Sequence, residues 1–523
     1  MKNQPESVTV IGAGVAGLAT AALLAREGKR VTVVDKLTEL GGRAGSLSVD
    51  GFRWDTGPSW YLMPEAFDHF FELCGTTTAA ELNLVDLAPA YRVFDDRGRT
   101  TDVHTGVEEA ARLFESIEPG AGARLRNYLA QATDVYNVAL RRFLYTTFST
   151  ARELLTPDVR AQLKTLTRLL SRSLESHVNA SFTDHRLRQI LSYPAVFLSS
   201  EPAAAPALYS LMSHTDLVEG VRYPLGGFAA VVDAIARQAR AAGVEFILGT
   251  QVTGIETAGG RATGVRVVDA NGPRTIAADT VVSSADLHHT ETTLLPPELR
   301  SYPEPYFADR NPGLGTVLVL LGVKGELPEL AHHNLLFSQD WDPDFRAVYH
   351  GPEPERELGA SRSIYVSKTS ATDPDVAPAD HENLFVLIPV PADTAVGHGD
   401  AYREGASARV EAIADAAVAQ IGSWAKIPDF AQRVVVRRTL GPADFAERYH
   451  AWRGGAIGPA HTLSQSAFFR GKNVSAKVAG LYYAGATTVP GVGVPMCLIS
   501  AENVVKRLRG DRSAQPLPAT SRP

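Results

Sequence analysis

An α/β chain built around a parallel, nucleotide-binding sheet is predicted by three features of the sequence. A glycine-rich crossover opens the chain, a second glycine turn leads into its last long helix, and short apolar strands alternate with amphipathic helices between them. The opening is the most specific of the three. Ser7 to Ile11 reads as a short apolar strand, Gly12-Ala13-Gly14-Val15-Ala16-Gly17 as a turn, and Leu18 to Glu27 as an alanine-rich helix. Arg30 to Val34 then makes a second strand that ends at Asp35 and Lys36. In this strand, turn, helix, strand context the spacing is a dinucleotide-binding fingerprint: the turn faces a pyrophosphate and the helix N-terminus supplies free N–H groups. Candidate contacts are Gly12, Ala13, Gly14, Ala16, Gly17, Asp35 and Lys36. Asp35 is placed for ribose hydroxyls, and its charge disfavours a 2′-phosphate.

Composition sets the bounds. The chain has 523 residues, 45% hydrophobic and 21% charged, enough for two or three folded domains. With 51 Lys plus Arg against 58 Asp plus Glu, the net charge of -7 gives no case for nucleic acid as a partner. The two cysteines, Cys74 and Cys497, have no metal-ligand spacing, so no metal site and no disulfide framework are expected. No apolar leader precedes the first strand, and apolar runs such as Thr316 to Leu321 fall well short of a membrane span.

From Glu108 to Tyr193 the pattern is helical. Pro157 to His177 is expected as one helix with Leu163, Leu166, Leu170 and Leu174 on a stripe and Lys164, Arg168 and Arg172 beside it. Between Arg141 and Arg172 there are seven basic residues and two acids, a local excess that fits either a solvated face or contact with an anionic bilayer. The chain then returns to the first domain through a helix, Phe228 to Ala242, and strands from Glu245 to Ser283. Short strands at Thr316 to Val323, Ser363 to Ser367 and Leu384 to Ile388 predict a second sheet that walls a substrate cavity. No second GxGxxG precedes a strand and an acid, so a separate nicotinamide domain is not expected. The strand from Gly480 runs into Gly485-Ala486-Thr487-Thr488-Val489-Pro490-Gly491-Val492-Gly493-Val494-Pro495, and a helix follows from Cys497 to Leu508. A glycine turn at a helix N-terminus again offers N–H groups to an electron-rich partner.

Leu40-Gly41-Gly42-Arg43-Ala44-Gly45, Gly51-Phe52-Arg53-Trp54-Asp55-Thr56-Gly57-Pro58, the Arg222 to Gly227 and His461 to Arg470 segments, and the C-terminal PGVGVP turn together resemble the bacterial-type phytoene desaturases. The resemblance runs from about Val8 to Leu508. It implies an α/β architecture with a Rossmann-like FAD-binding domain of the glutathione-reductase and amine-oxidase type, a mixed-sheet substrate domain and a helical membrane-facing subdomain. On this reading FAD is held by residues 1–90, 216–300 and 441–510. Residues 91–215 form the helical part, 301–440 the substrate sheet, and 511–523 a disordered tail. To the fingerprint residues the resemblance adds Gly42, Arg43, Ala44, Gly57, Pro58, Val252, Gly485, Ala486, Gly493, Val494 and Pro495 as cofactor contacts, and Arg152 as a catalytic candidate. His461 is expected to be a wall or structural residue. No serine–histidine–aspartate order, paired carboxylates or HExxH motif stands out, so the cofactor carries the redox chemistry.

The implied activity is desaturation of a membrane-dissolved carotenoid, first of all 15-cis-phytoene converted stepwise towards lycopene. Quinone or oxygen would be the electron acceptor, and the protein would sit peripherally on the inner face of the cell membrane. The alternatives are a desaturase or oxidase of a C30 or hydroxylated carotenoid, a flavin amine or porphyrinogen oxidase, and a non-enzymatic prenyl-lipid escort.

Overall fold

The computed structural model describes residues 6–149 and 163–519. Arg152, and the first part of the helix expected from Pro157, lie outside the described residues.

Five parallel strands form the first sheet, in the order Leu481–Tyr483, Thr280–Ser283, Ser7–Ile11, Arg30–Val34 and Glu245–Ile247. Val8, Val10, Val31, Val33, Val281 and Val282 are all essentially buried, as a parallel sheet covered on both faces requires. Three separate stretches of chain thread this sheet, so the opening glycine turn and the C-terminal one end up side by side. Helix Val15–Arg26 packs along helix Val494–Arg509, and its small residues Ala21, Ala22 and Ala25 share one core with Ala501, Val504 and Val505. A three-stranded antiparallel sheet, Gln251–Ala258, Arg261–Asp269 and Gly272–Ala277, follows the fifth strand.

The second sheet has seven strands, ordered Val434–Leu440, Leu314–Lys324, His381–Pro391, Ile364–Ser367, His333–Phe337, Tyr91–Asp95 and Thr100–Val103. It is mixed, since Tyr91–Asp95 runs parallel to His333–Phe337 while the other neighbours are antiparallel. Helix Ala408–Trp424 covers one face, burying Val317, Val319, Leu321 and Val386. The other face, through Leu318, Leu320, Tyr365 and Phe385, shares a core with the helical region. Expected as the start of that helical region, residues 91–103 instead supply the two strands at this sheet's edge.

Helices Val107–Ile117, Ala121–Arg142, Leu163–Leu170, Leu174–Asn179 and His185–Ser192 make up the helical region. The single helix expected to reach His177 is broken. The Ser173 hydroxyl accepts a hydrogen bond from Ser176 N at 3.2 Å and starts a new helix, the capping preference of serine overriding the leucine periodicity. The break also shifts the stripe: Leu169 is buried and Leu170 exposed. Among the described residues no helix is long and apolar enough to cross a membrane. Residues 511–519, expected within a disordered tail, lie back on the last helix, with Leu517 N donating to Glu502 and Lys506 Nζ to the Ser513 and Gln515 carbonyls.

Candidate cofactor and active site

The first glycine turn sits at the C-terminal edge of the parallel sheet, where α/β proteins hold ligands. Gly12 N donates to Val34 O at 2.8 Å, and the Ser284 hydroxyl ties the adjacent strand to the turn by donating to Ile11 O (2.8 Å) and Gly12 O (3.0 Å). A β-carbon on Gly17 would lie 2.0 Å from Gly12 O, so only glycine lets the helix start this close to the strand. The helix cap, Gly14, has no side chain to satisfy the first N–H groups, which leaves them for a ligand. Asp35 closes the second strand. Its carboxylate accepts from Ala13 N at 2.6 Å and Leu37 N at 2.8 Å, and burial raises its pKa. Lys36, its ammonium pKa lowered by burial, donates to the Glu447 carbonyl. Thr250 N donates to Asp35 O at 2.8 Å, which brings Val252 into the same core as Val34.

A second layer lies against the first. Gly41 N donates to Ala13 O at 2.9 Å, and Gly42–Ala44 forms a tight 3-10 turn. Gly57 abuts this turn so closely that a β-carbon there would lie 2.0 Å from Arg43 O. Arg43 reaches Asp286 at 3.8 Å, and its buried Nε has no hydrogen-bond partner. Asp286, not anticipated from the sequence, is the hub here. It accepts from His288 N (2.9 Å) and Trp452 N (3.2 Å), and burial raises its pKa. Its position directly after a core strand and before a short helix was the available signal.

Asp55, the acid of the GFxxDxGP segment, has a structural task. It accepts from Phe228 N at 2.7 Å and Ala229 N at 3.2 Å, capping helix Gly227–Ala241 from a distant part of the chain. Asp55→Ala is expected to destabilise the protein by about 1–3 kcal/mol, measured by chemical denaturation. Burial pushes this carboxyl up to about 6. Its stabilising proton uptake is therefore complete below the unfolded value of about 4 and lost as pH rises through 6. Asp55→Asn should keep an acceptor for the helix and flatten stability over that window.

At the C-terminal turn, Gly485 N donates to Ser500 Oγ at 2.9 Å, and Thr488 Oγ1 donates to Gly485 O at 3.0 Å. Gly493 caps helix Val494–Arg509 without a side chain, and Pro495 occupies its first turn, where a missing N–H costs nothing. His461 lies against Gly491. Its Nε2 accepts from Val492 N at 3.2 Å, which fixes the proton on Nδ1, 2.8 Å from the Tyr209 hydroxyl. Burial holds this imidazole well below its usual pKa, so it is neutral and fully bonded, a structural histidine. Arg470 donates to the Ala486 carbonyl at 2.6 Å and the Thr488 carbonyl at 3.1 Å. Arg43, Arg310 and Arg470, with the single carboxylate Asp286, line a cleft that also meets Trp452, Gly458 and Thr487.

Two uncapped helix N-termini, a cradle that a β-carbon would fill and an unpartnered guanidinium nitrogen fit the phosphates of a dinucleotide, and the acid at the second strand fits its ribose. Fold and site together define a dinucleotide-binding α/β protein. The comparisons with known proteins name the group. The flavin-containing amine oxidoreductase family matches residues 15–509. The carotenoid 3,4-desaturase of Haloarcula japonica is 39% identical over 97% of this chain and 98% of its own. The zeta-carotene-forming phytoene desaturase of Myxococcus xanthus is 36% identical over 97% and 94%. An oxidoreductase from Methanosarcina mazei shares the fold, with a TM-score of 0.59 and 17% identity over 96% of this chain and 100% of that one. So does putrescine oxidase, at 0.60 and 14% over 97% and 99%. The chain therefore belongs to the flavin-containing amine oxidoreductase family, among its carotenoid desaturases, and is an FAD-dependent oxidoreductase acting on CH–CH bonds.

Proposed function

We propose that this protein desaturates a membrane-dissolved carotenoid, with 15-cis-phytoene converted stepwise towards lycopene as the first reading. The observation that carries it is identity of 36% and 34% to a phytoene desaturase and a phytoene dehydrogenase, sustained over nearly the whole chain. Terminal 3,4-desaturation of a more unsaturated carotenoid is the second reading, favoured by the 39% relative.

In this reading the pyrophosphate is held by Gly12, Ala13, Gly14, Ala16, Gly17, Gly42, Arg43 and Ala44. Asp35, Lys36 and Val252 meet the ribose and adenine end, and Gly57, Pro58, Gly485, Ala486, Gly493, Val494 and Pro495 meet the flavin. Bound FAD supplies the two-electron acceptance that removal of hydrogen from adjacent saturated carbons needs. The protein's part is to align an apolar chain and keep water away. Two residues after Pro58, Trp60 packs with Tyr91, Tyr193, Phe197, His333 and Tyr365, an aromatic wall on the inner face of the seven-stranded sheet. Such a wall suits a substrate without a polar handle. Electrons would leave to quinone or oxygen, and the protein would work on the inner face of the cell membrane.

Expression in two bacterial hosts, one accumulating phytoene and one lycopene, tests this directly. Products lighter by two hydrogens per step in the first host support the first reading, and new products only in the second host support the other. No change in either, from a protein that carries FAD, would sink both.

A further inference from the structure

Three of the most exposed large apolar side chains fall within one short segment. Leu463 is 51% exposed, Phe468 38% and Phe469 61%. Two short 3-10 turns, Leu463–Gln465 and Ala467–Phe469, hold them outward. Their base is anchored. Gln465 is buried and bonds to Asn311 and the Ala460 carbonyl, the Ser466 hydroxyl donates to Thr462 O at 2.8 Å, and Arg470 is buried behind them. Buried Phe148 meets Phe468 edge-on at 5.0 Å and backs the patch from within. Isolated exposed apolar residues are ordinary, but a rigid cluster marks a surface that meets something apolar.

The flanks of this patch are basic. Phe148 follows helix Ala121–Arg142, which ends in Arg141 and Arg142. Tyr209, whose hydroxyl meets Ser466 Oγ at 3.1 Å, belongs to the turn Ala207–Leu211, and helix Leu163–Leu170 packs on that turn through Leu169. Beyond it Leu170, Arg168 and Arg172 are exposed, and Lys472 is exposed just past Arg470. Apolar tips within a basic surround are complementary to an anionic lipid interface. Inward, the same segment begins at His461, against the glycine turn of the C-terminal helix.

We propose that Leu463, Phe468 and Phe469 form the wedge through which this protein enters an anionic lipid bilayer. The inference rests on the carotenoid reading above, because such a hydrocarbon is held in lipid and must be drawn from it. Flotation of the FAD-loaded full chain with phosphatidylcholine vesicles, with and without phosphatidylglycerol, tests it. The native protein should float, more strongly with the anionic lipid, and the Phe468→Ser/Phe469→Ser double variant should lose at least about tenfold in vesicle affinity. Val435→Ser, which removes another side chain 53% exposed but in the seven-stranded sheet, should bind as the native protein does. Flavin content and turnover of detergent-dispersed carotenoid should be equal in all three proteins, which separates this proposal from the desaturase reading. Native-like flotation by the double variant would overturn the wedge. So would a native dimer that the double variant abolishes, because the patch would then be a subunit interface.

Discussion

Gly17→Val is expected to yield a protein without bound FAD. The added β-carbon would fall 2.0 Å from Gly12 O, a backbone atom at the end of the central strand of the parallel sheet. Nothing flexible is available to give way, so the helix must move off the strand, and core overpacking of this kind costs about 1–3 kcal/mol or more. In the proposed cofactor site, moving the helix would also withdraw its N–H groups from the pyrophosphate. Gly14→Ala is the instructive partner. There the nearest atom to the new β-carbon is Gly41 O at 3.8 Å, an ordinary contact. The Gly14→Ala protein should therefore unfold at native denaturant concentrations while binding FAD at least about tenfold more weakly, because the methyl group intrudes only on the ligand. Both quantities can be read from one preparation by denaturant titration and by fluorescence titration of the apoprotein. Native FAD affinity in Gly14→Ala would remove Gly14 from the cofactor site.

The contrast between these two glycines shows what was legible beforehand. The cradle was readable because its geometry is local: strand, turn, helix and acid are contiguous, and backbone sterics dictate the spacing. The second sheet was readable only as separate strands, since alternation in residues 314–391 reveals neither their order nor the edge strands contributed by residues 91–103. The break before Ser173 was lost for the opposite reason. Leucine spacing continued through it while a single capping hydroxyl decided the local structure. Long-range polar hubs were the hardest part. Asp55 caps a helix more than 170 residues away, and Asp286 gathers Arg43, His288 and Trp452 from three segments. Neither role leaves a periodic trace in the sequence, although Asp55 stands inside the GFxxDxGP segment.

Arg470 is the other position where a single change should be severe. Its side chain is 3% exposed, and its guanidinium donates to the carbonyls of Pro459 (3.4 Å), Gln465 (3.4 Å), Ala486 (2.6 Å) and Thr488 (3.1 Å). Among the described residues its hydrogen bonds all go to carbonyls and none to a carboxylate. A buried cation bonded only to carbonyls is costly, and burial lowers its pKa to about 10, yet it stays charged at neutral pH. The five-donor fork explains why arginine is used, because one planar group can tie the segment 459–465 to the glycine turn 485–488. Arg470→Ala would leave several buried carbonyls without donors, a loss on the order of 4 kcal/mol. It should release flavin on mild heating. Arg470→Lys, with a compact ammonium that cannot span both segments, should recover only part of that stability. The same charge lies beside the cleft lined by Arg43 and Arg310. If Arg470→Gln retains FAD, the two-electron potential of the bound flavin should fall, because a buried positive charge favours the electron-rich state. An unchanged potential would make Arg470 a purely structural clasp.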